Sequence, residues 1–197
     1  MNYEEILIEC AKKYKLHHVD GMNLWMKTDD MLFIVQNRPI VKEFKWKCSF
    51  KPLYSDELLW RISEIGGGSF ETWEQFKKKG TSRRVNGVFV APAKRFDFCT
   101  YEMPSSEEEI RALYESKIER FLEMVKGIKE SDYETETEVS LINILRAIHE
   151  GDYKRAKKLT KRIHTLRKNI LPEEQVLWSY EYWSIRSDIL KYLKKID

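Results

Sequence analysis

The chain has little of what marks a disulfide-held or metal-held scaffold. It carries three cysteines in 197 residues, Cys10, Cys48 and Cys99, with no CxxC spacing among them. An odd count without paired spacing excludes a disulfide framework and a thiolate zinc site, and it points to a reducing compartment. The four histidines form no ligand set. His17 and His18 are adjacent and would point to opposite faces of an extended segment, while His149 and His164 lack a histidine three or four residues away. There is no GxSxG and no carboxylate pair of defined spacing. Gly66-Gly67-Gly68-Ser69 lacks the Lys-Ser/Thr pair with which a Walker loop reaches phosphate and magnesium, so it reads as a helix stop. No catalytic, cofactor-binding or metal-ligating residue is assigned, and the expectation is a non-enzymatic protein without a cofactor.

Long hydrophobic runs are missing as well. The longest purely apolar one, Met31 to Val35, is far too short to cross a bilayer, and the residues that follow Met1 are acidic where a secretory leader is basic. The expected location is the cytoplasm, with no membrane partner. A net charge of +3 excludes a field able to steer polyanions by itself, so local clusters decide.

What is present begins with a composition of 42% hydrophobic and 34% charged residues, which suits a folded chain rather than a disordered one. Six Trp, ten Tyr and nine Phe form an aromatic excess of the kind that serves cores and interfaces alike. The clearest single segment is Phe44-Lys45-Trp46-Lys47-Cys48-Ser49-Phe50-Lys51, which alternates without error. In a strand this puts Phe44, Trp46, Cys48 and Phe50 on a buried face, with Glu43, Lys45, Lys47, Ser49 and Lys51 on a wet, basic one. That geometry separates the rings from the cations and argues against a base-stacking platform.

Around this strand, Ile6, Leu7, Cys10 and Tyr14 predict a helix over 3–15. Met22–Met26 and Met31–Val35 flank the polar turn Lys27-Thr28-Asp29-Asp30 as a hairpin. Ser55-Asp56-Glu57 reads as the cap of a helix carrying Leu58, Leu59, Ile62 and Ile65. A further short helix with Trp73 and Phe76, a strand over Val88–Ala91 after Asn86-Gly87, and a strand over Phe96–Tyr101 complete the N-terminal half. Met103-Pro104-Ser105-Ser106 then marks a boundary, because Pro104 disfavours helix before it and either serine can pair with a glutamate three residues on.

After it the pattern is helical. Ile110, Leu113, Tyr114, Ile118, Phe121, Leu122, Val125 and Ile128 form one stripe, and Val139, Ile142, Leu145 and Ile148 a second. Asp152 caps a third helix, and Pro172-Glu173-Glu174 opens a fourth. Ala147 to Ala156 resembles the inter-helix turn of a tetratricopeptide-like hairpin over roughly 28 residues, without the second copy that a 34-residue repeat requires. The resemblance implies an αα-hairpin, not a repeat array. The fold class is α+β: an antiparallel β-sheet with short helices over 1–103, followed by an antiparallel four-helix half over 104–197 packed against it.

Candidate binding residues come from charge and from the last helix. Lys154, Arg155, Lys157, Lys158, Lys161, Arg162, Arg167 and Lys168 follow Asp152 with no further acid, whereas Glu102 to Glu138 holds twelve acids against five bases. Two neighbouring helices of opposite sign within a Debye length of about 8 Å would cancel each other's far field. Arg83 and Arg84 close a second basic cluster over 77–84. Trp178, Tyr182 and Trp183 lie on a helix that is apolar on more than one side, which suits burial, a partner or a homo-oligomer. The leading expectation is a protein that binds another protein through surface contacts, in an inhibitor, immunity-type or adaptor role. The alternative is a nucleic-acid-binding protein using the clusters at 77–84 and 154–168.

Overall fold

The computed structural model describes residues 2–19, 21–40, 42–63, 91–136, 138–163 and 181–196. Its secondary structure is α+β. In chain order the elements are α1 (Tyr3–Lys13), β1 (His17–Val19), β2 (Asn23–Lys27), β3 (Met31–Ile40), β4 (Glu43–Pro52), α2 (Leu53–Ser63), β5 (Lys94–Glu102), α3 (Glu107–Val125), α4 (Leu141–His149), α5 (Tyr153–Arg162) and α6 (Glu181–Ile196). The expected helix around Trp73 and Phe76, strand residues 88–90 and the start of the fourth C-terminal helix lie outside the described residues.

The five strands form one antiparallel sheet in the order β1-β2-β3-β4-β5, each paired with its neighbour in sequence. The turn predicted between β2 and β3 is closed by Thr28, whose N–H donates to the Met31 carbonyl at 2.9 Å while its Oγ1 accepts from the Met31 N–H at 3.1 Å. A threonine that hydrogen-bonds the backbone three residues on fixes register locally. The short strand β1, which weak alternation around His17 and His18 leaves unmarked in the sequence, pairs His17 with Trp25 and His18 with Leu24.

The described residues divide into two compact units, 2–52 with 93–132 and 53–63 with 91–92 and 133–196. In the first, Phe44, Trp46, Cys48 and Phe50 are buried as the alternation requires, together with Leu24, Phe33 and Val35 from the neighbouring strands. Helix α1 adds Ile6, Leu7, Cys10 and Ala11 to the core, and α3 adds Ile110, Tyr114, Ile118 and Phe121. Phe44 meets Tyr3, Tyr101 and Tyr114 at ring-centroid distances of 5.1, 5.5 and 6.3 Å, so both helices lie on the same side of the sheet as the β4 rings. α3 begins with a complete capping box in which Ser106 accepts from the Glu109 N–H and Glu109 reaches back to the Ser106 N–H.

The opposite face of β4 departs from the expectation of a wet surface. Glu43 and Lys45 are exposed, but Ser49 and Lys51 keep only 3% and 1% of their surface. Alternation tells which side a residue takes, not whether that side is covered. β4 is a central strand, and over Cys48–Pro52 it is buried on both faces.

The second unit holds α2, α4, α5 and α6 around Leu59, Tyr133, Ile144, Leu145, Ala156, Ile189 and Leu193. Helix α2 starts at Leu53, directly after Pro52 ends β4, so Ser55 and Asp56 lie in its first turn rather than before it. Both are fully buried, and the Asp56 carboxylate accepts the Ala91 N–H at 3.1 Å. The acid that the spacing assigns to a cap thus ties two segments together. Tyr133, also buried, donates its hydroxyl to the Pro92 carbonyl at 2.6 Å, and burial pushes its pKa well above the usual tyrosine range. Between α4 and α5 the chain turns at Gly151, whose φ of 76° is the left-handed conformation that glycine adopts without strain. Asp152 then caps α5 by accepting the Arg155 N–H at 2.9 Å.

A candidate contact surface on the open sheet face

Residues directly across a sheet share a face, so the register identifies which side chains stand together away from α1 and α3. Three rows run across β3, β4 and β5: Arg38 with Lys45 and Thr100, Gln36 with Lys47 and Phe98, and Ile34 with Ser49 and Arg95. A fourth row places Ile40 beside Glu43 and Glu102, and Trp25 stands next to Ile34. Arg38, Lys45, Arg95, Phe98, Thr100 and Ile40 are all exposed. Three large hydrophobic residues are exposed among the described ones, and two of them, Phe98 at 46% and Ile40 at 39%, are on this face. The Arg95 guanidinium sits 5.6 Å from the Phe98 ring centroid, within cation–π range.

One irregularity creates the arrangement. The register slips between Cys48 and Ser49, so that Asp97 and Arg95 are consecutive partners and Phe96 is the extra residue. Strict alternation groups Phe96 with Phe98, yet Phe96 is half-buried with its ring 6.0 Å from that of Phe50 and 6.1 Å from that of Phe121, both core residues, while Phe98 is exposed on the other face. A bulge of this kind has no signature in the sequence, which is why the strand pattern over Phe96–Tyr101 does not reveal Phe98 as a surface ring. The cations of β4 and an exposed ring do share a face, but the ring comes from β5.

A separate feature of this unit is an open groove of about 480 Å³ lined in part by Asn2, Glu4, Gly21, Asn37 and Arg38. Its floor is closed chemically. Buried Asn37 donates Nδ2 to the Tyr114 hydroxyl at 3.2 Å, accepts the Tyr101 hydroxyl at 3.1 Å, and gives its backbone N–H to the Met22 carbonyl at 3.0 Å. Burial raises the pKa of Tyr101 and of Tyr114, so both phenols stay protonated, Tyr101 as a donor to Asn37 and Tyr114 as an acceptor from it. At the rim His18 contacts the Gly21 carbonyl and lies 3.4 Å from Glu4. This is a structural hydrogen-bond network with a His18–Glu4 contact at its edge.

The thiols occupy three settings. Cys48 is fully buried, accepts the Trp46 indole N–H at 3.1 Å, and has its pKa pushed up to about 12 by desolvation, which keeps it a neutral thiol. Burial also raises Cys10. Cys99 is half-buried, with the Lys117 ammonium 3.2 Å from its sulfur. Among the described residues no group of three His, Cys, Asp or Glu could hold a metal ion, and no helix is long and apolar enough to cross a membrane.

The candidates drawn from the sequence fall elsewhere. Lys154, Arg155, Lys158, Lys161 and Arg162 are exposed on α5, in the second unit, and Arg162 pairs with Glu138 at 2.8 Å. Arg83, Arg84 and Trp178 lie outside the described residues, as do the side chains of Tyr182 and Trp183 on α6. The structure brings together instead Arg38, Lys45, Arg95, Phe98 and Ile40, which no sequence cluster marks. No protein family, curated protein or solved structure matches this chain.

Proposed function

We propose that this is a non-enzymatic protein-binding protein whose working surface is the open face of the sheet, and that its partner presents an acidic surface around an apolar pocket. The observation that supports this most directly is the coincidence of Phe98 and Ile40 with Arg38, Lys45 and Arg95 on one face. Interface hot spots combine an aromatic anchor with arginine, ringed by contacts that exclude water, and the Phe98–Arg95 pair has that composition. Cations outnumber acids on the face, since Glu43 and Glu102 stand only at its Ile40 end. Complementary charge would steer an acidic partner and set its orientation.

A single-stranded nucleic acid fits this face less well. Stacking platforms offer successive rings, and here Phe44, Trp46 and Phe50 are buried while Trp25 is half-covered and stacked on His17 at 4.4 Å. Free thiols fit a reducing compartment, so we place the encounter in the cytoplasm. The test compares the wild type with Phe98→Thr and with Arg38→Glu/Lys45→Glu in recovering partners from nuclease-treated native extract. The expected result is an acidic protein retained by the wild type and bound about 30-fold more weakly by Phe98→Thr, the loss of one hot spot. Loss of every partner after nuclease, or equal recovery by all three proteins, would overturn the reading.

A further inference from the structure

Helix α5 divides sharply by chemistry. Ala156, Leu159 and Thr160 are buried, and at 100° per residue they face one way. Lys154, Arg155, Lys158, Lys161 and Arg162 occupy an opposite arc of about 120°, with no acid and no ring between them. Lys154, Lys158 and Lys161 follow at i, i+4 and i+7, so three ammonium groups rise about 10 Å along one line. The acids beside the helix are engaged: Asp152 caps it, Glu150 holds Arg146 at 2.7 Å, and Glu138 holds Arg162. Among the described residues Lys154, Arg155, Lys158 and Lys161 form no ion pair.

We infer from this that α5 carries a second contact surface, separate from the sheet face, that lies along the phosphate backbone of a nucleic-acid duplex. Its chemistry selects among anionic partners. A protein would need an apolar anchor, and the arc has none. A bilayer would need the apolar side of the helix, which is buried in its own unit. A single strand would need exposed rings. What remains is a regular row of charge about 10 Å long, matched in kind by a duplex that carries one negative charge per roughly 1.7 Å of its axis. Such contact carries no sequence information and is read by ionic strength.

The experiment uses the full chain and a 20-base-pair DNA duplex of arbitrary sequence, titrated by fluorescence anisotropy between 50 and 200 mM salt. Four phosphate contacts predict that affinity falls about 150-fold over this range, a slope near −3.6 in log K against log salt. In Lys154→Gln/Lys158→Gln/Lys161→Gln the fall should shrink to about 3-fold, with circular dichroism showing an unchanged fold. Absence of binding at 50 mM, an unchanged slope in the folded triple variant, or tighter binding to the single strand or to phosphatidylserine vesicles would overturn the inference. These variants lie outside the unit that bears the sheet face, so either proposal can fail without the other.

Discussion

If Phe98 stands on an open face, removing its ring should cost far less than removing the ring of Phe50 from the other side of the same sheet. Full burial of a Phe side chain is worth up to about 3 kcal/mol, and Phe98 keeps 46% of its surface, so roughly half of that is at stake. Replacement by threonine preserves strand propensity and should therefore cost about 1–1.5 kcal/mol, including the exposed cation–π contact with Arg95. Phe50 is 2% exposed and packs against Phe33 and Phe96 at 6.3 and 6.0 Å, so Phe50→Ala leaves a cavity and should cost about 3–5 kcal/mol. Because the chain has two compact units, one melting midpoint does not define one free energy. Native-state hydrogen exchange at the Val35 and Cys48 amides, which lie in the sheet, reads the relevant unit alone. A Phe98→Thr loss equal to that of Phe50→Ala would mean that the face is covered, and the proposed surface would go with it.

Two further outcomes follow from the buried polar groups. The Cys48 pKa is raised from 9.0 to about 12 in the folded chain, so the unfolded state releases its proton first; stability from this group is intact below pH 9 and declines by about 1.4 kcal/mol per pH unit towards pH 12. Urea titrations at pH 8 and pH 10.5 should show a smaller alkaline loss in Cys48→Ala than in the wild type, and an identical loss would refute the assignment. Tyr133→Phe removes the donor to the Pro92 carbonyl without changing the core volume, and should lower the stability of the second unit by about 1–3 kcal/mol, measured by exchange at the α4 amides.

Much of the fold was legible because local rules act over few residues. The perfect alternation of Phe44 to Lys51 placed four side chains in the core, and Ser106 with Glu109 announced the start of α3. Asp152 and Gly151 marked the turn between α4 and α5. What the pattern could not supply was context. Ser49 and Lys51 look like surface residues by spacing yet are covered, since only the neighbouring strands and the tertiary layers decide that. Ser55 and Asp56 look like a cap and are buried inside the first turn of α2. The candidate surface was hidden for two reasons: its residues come from three strands separated by as many as 60 positions, and a bulge at Phe96 reverses the facing of β5 halfway along.

The charge pattern teaches the same lesson with a functional consequence. Read along the sequence, the acids of 102–138 and the bases of 152–168 balance, which suggests mutual neutralisation. In the structure four acids of α3 find partners nearby: Glu115 holds Lys13 at 3.0 Å, Glu119 accepts the Tyr14 hydroxyl at 2.6 Å, Glu107 holds Arg111 at 3.2 Å and Glu123 holds Lys126 at 2.6 Å. Arg111 also reaches Glu9 on α1 at 2.8 Å. Each such surface pair is worth at most about 1 kcal/mol, so none of them decides the fold. Together they decide which charges are already engaged. Glu107, Glu115, Glu119 and Glu123 are engaged by α1 or around their own helix, whereas Lys154, Arg155, Lys158 and Lys161 keep their charge facing water, and it is that asymmetry, not the near-neutral total, that makes α5 the place to look for a polyanion.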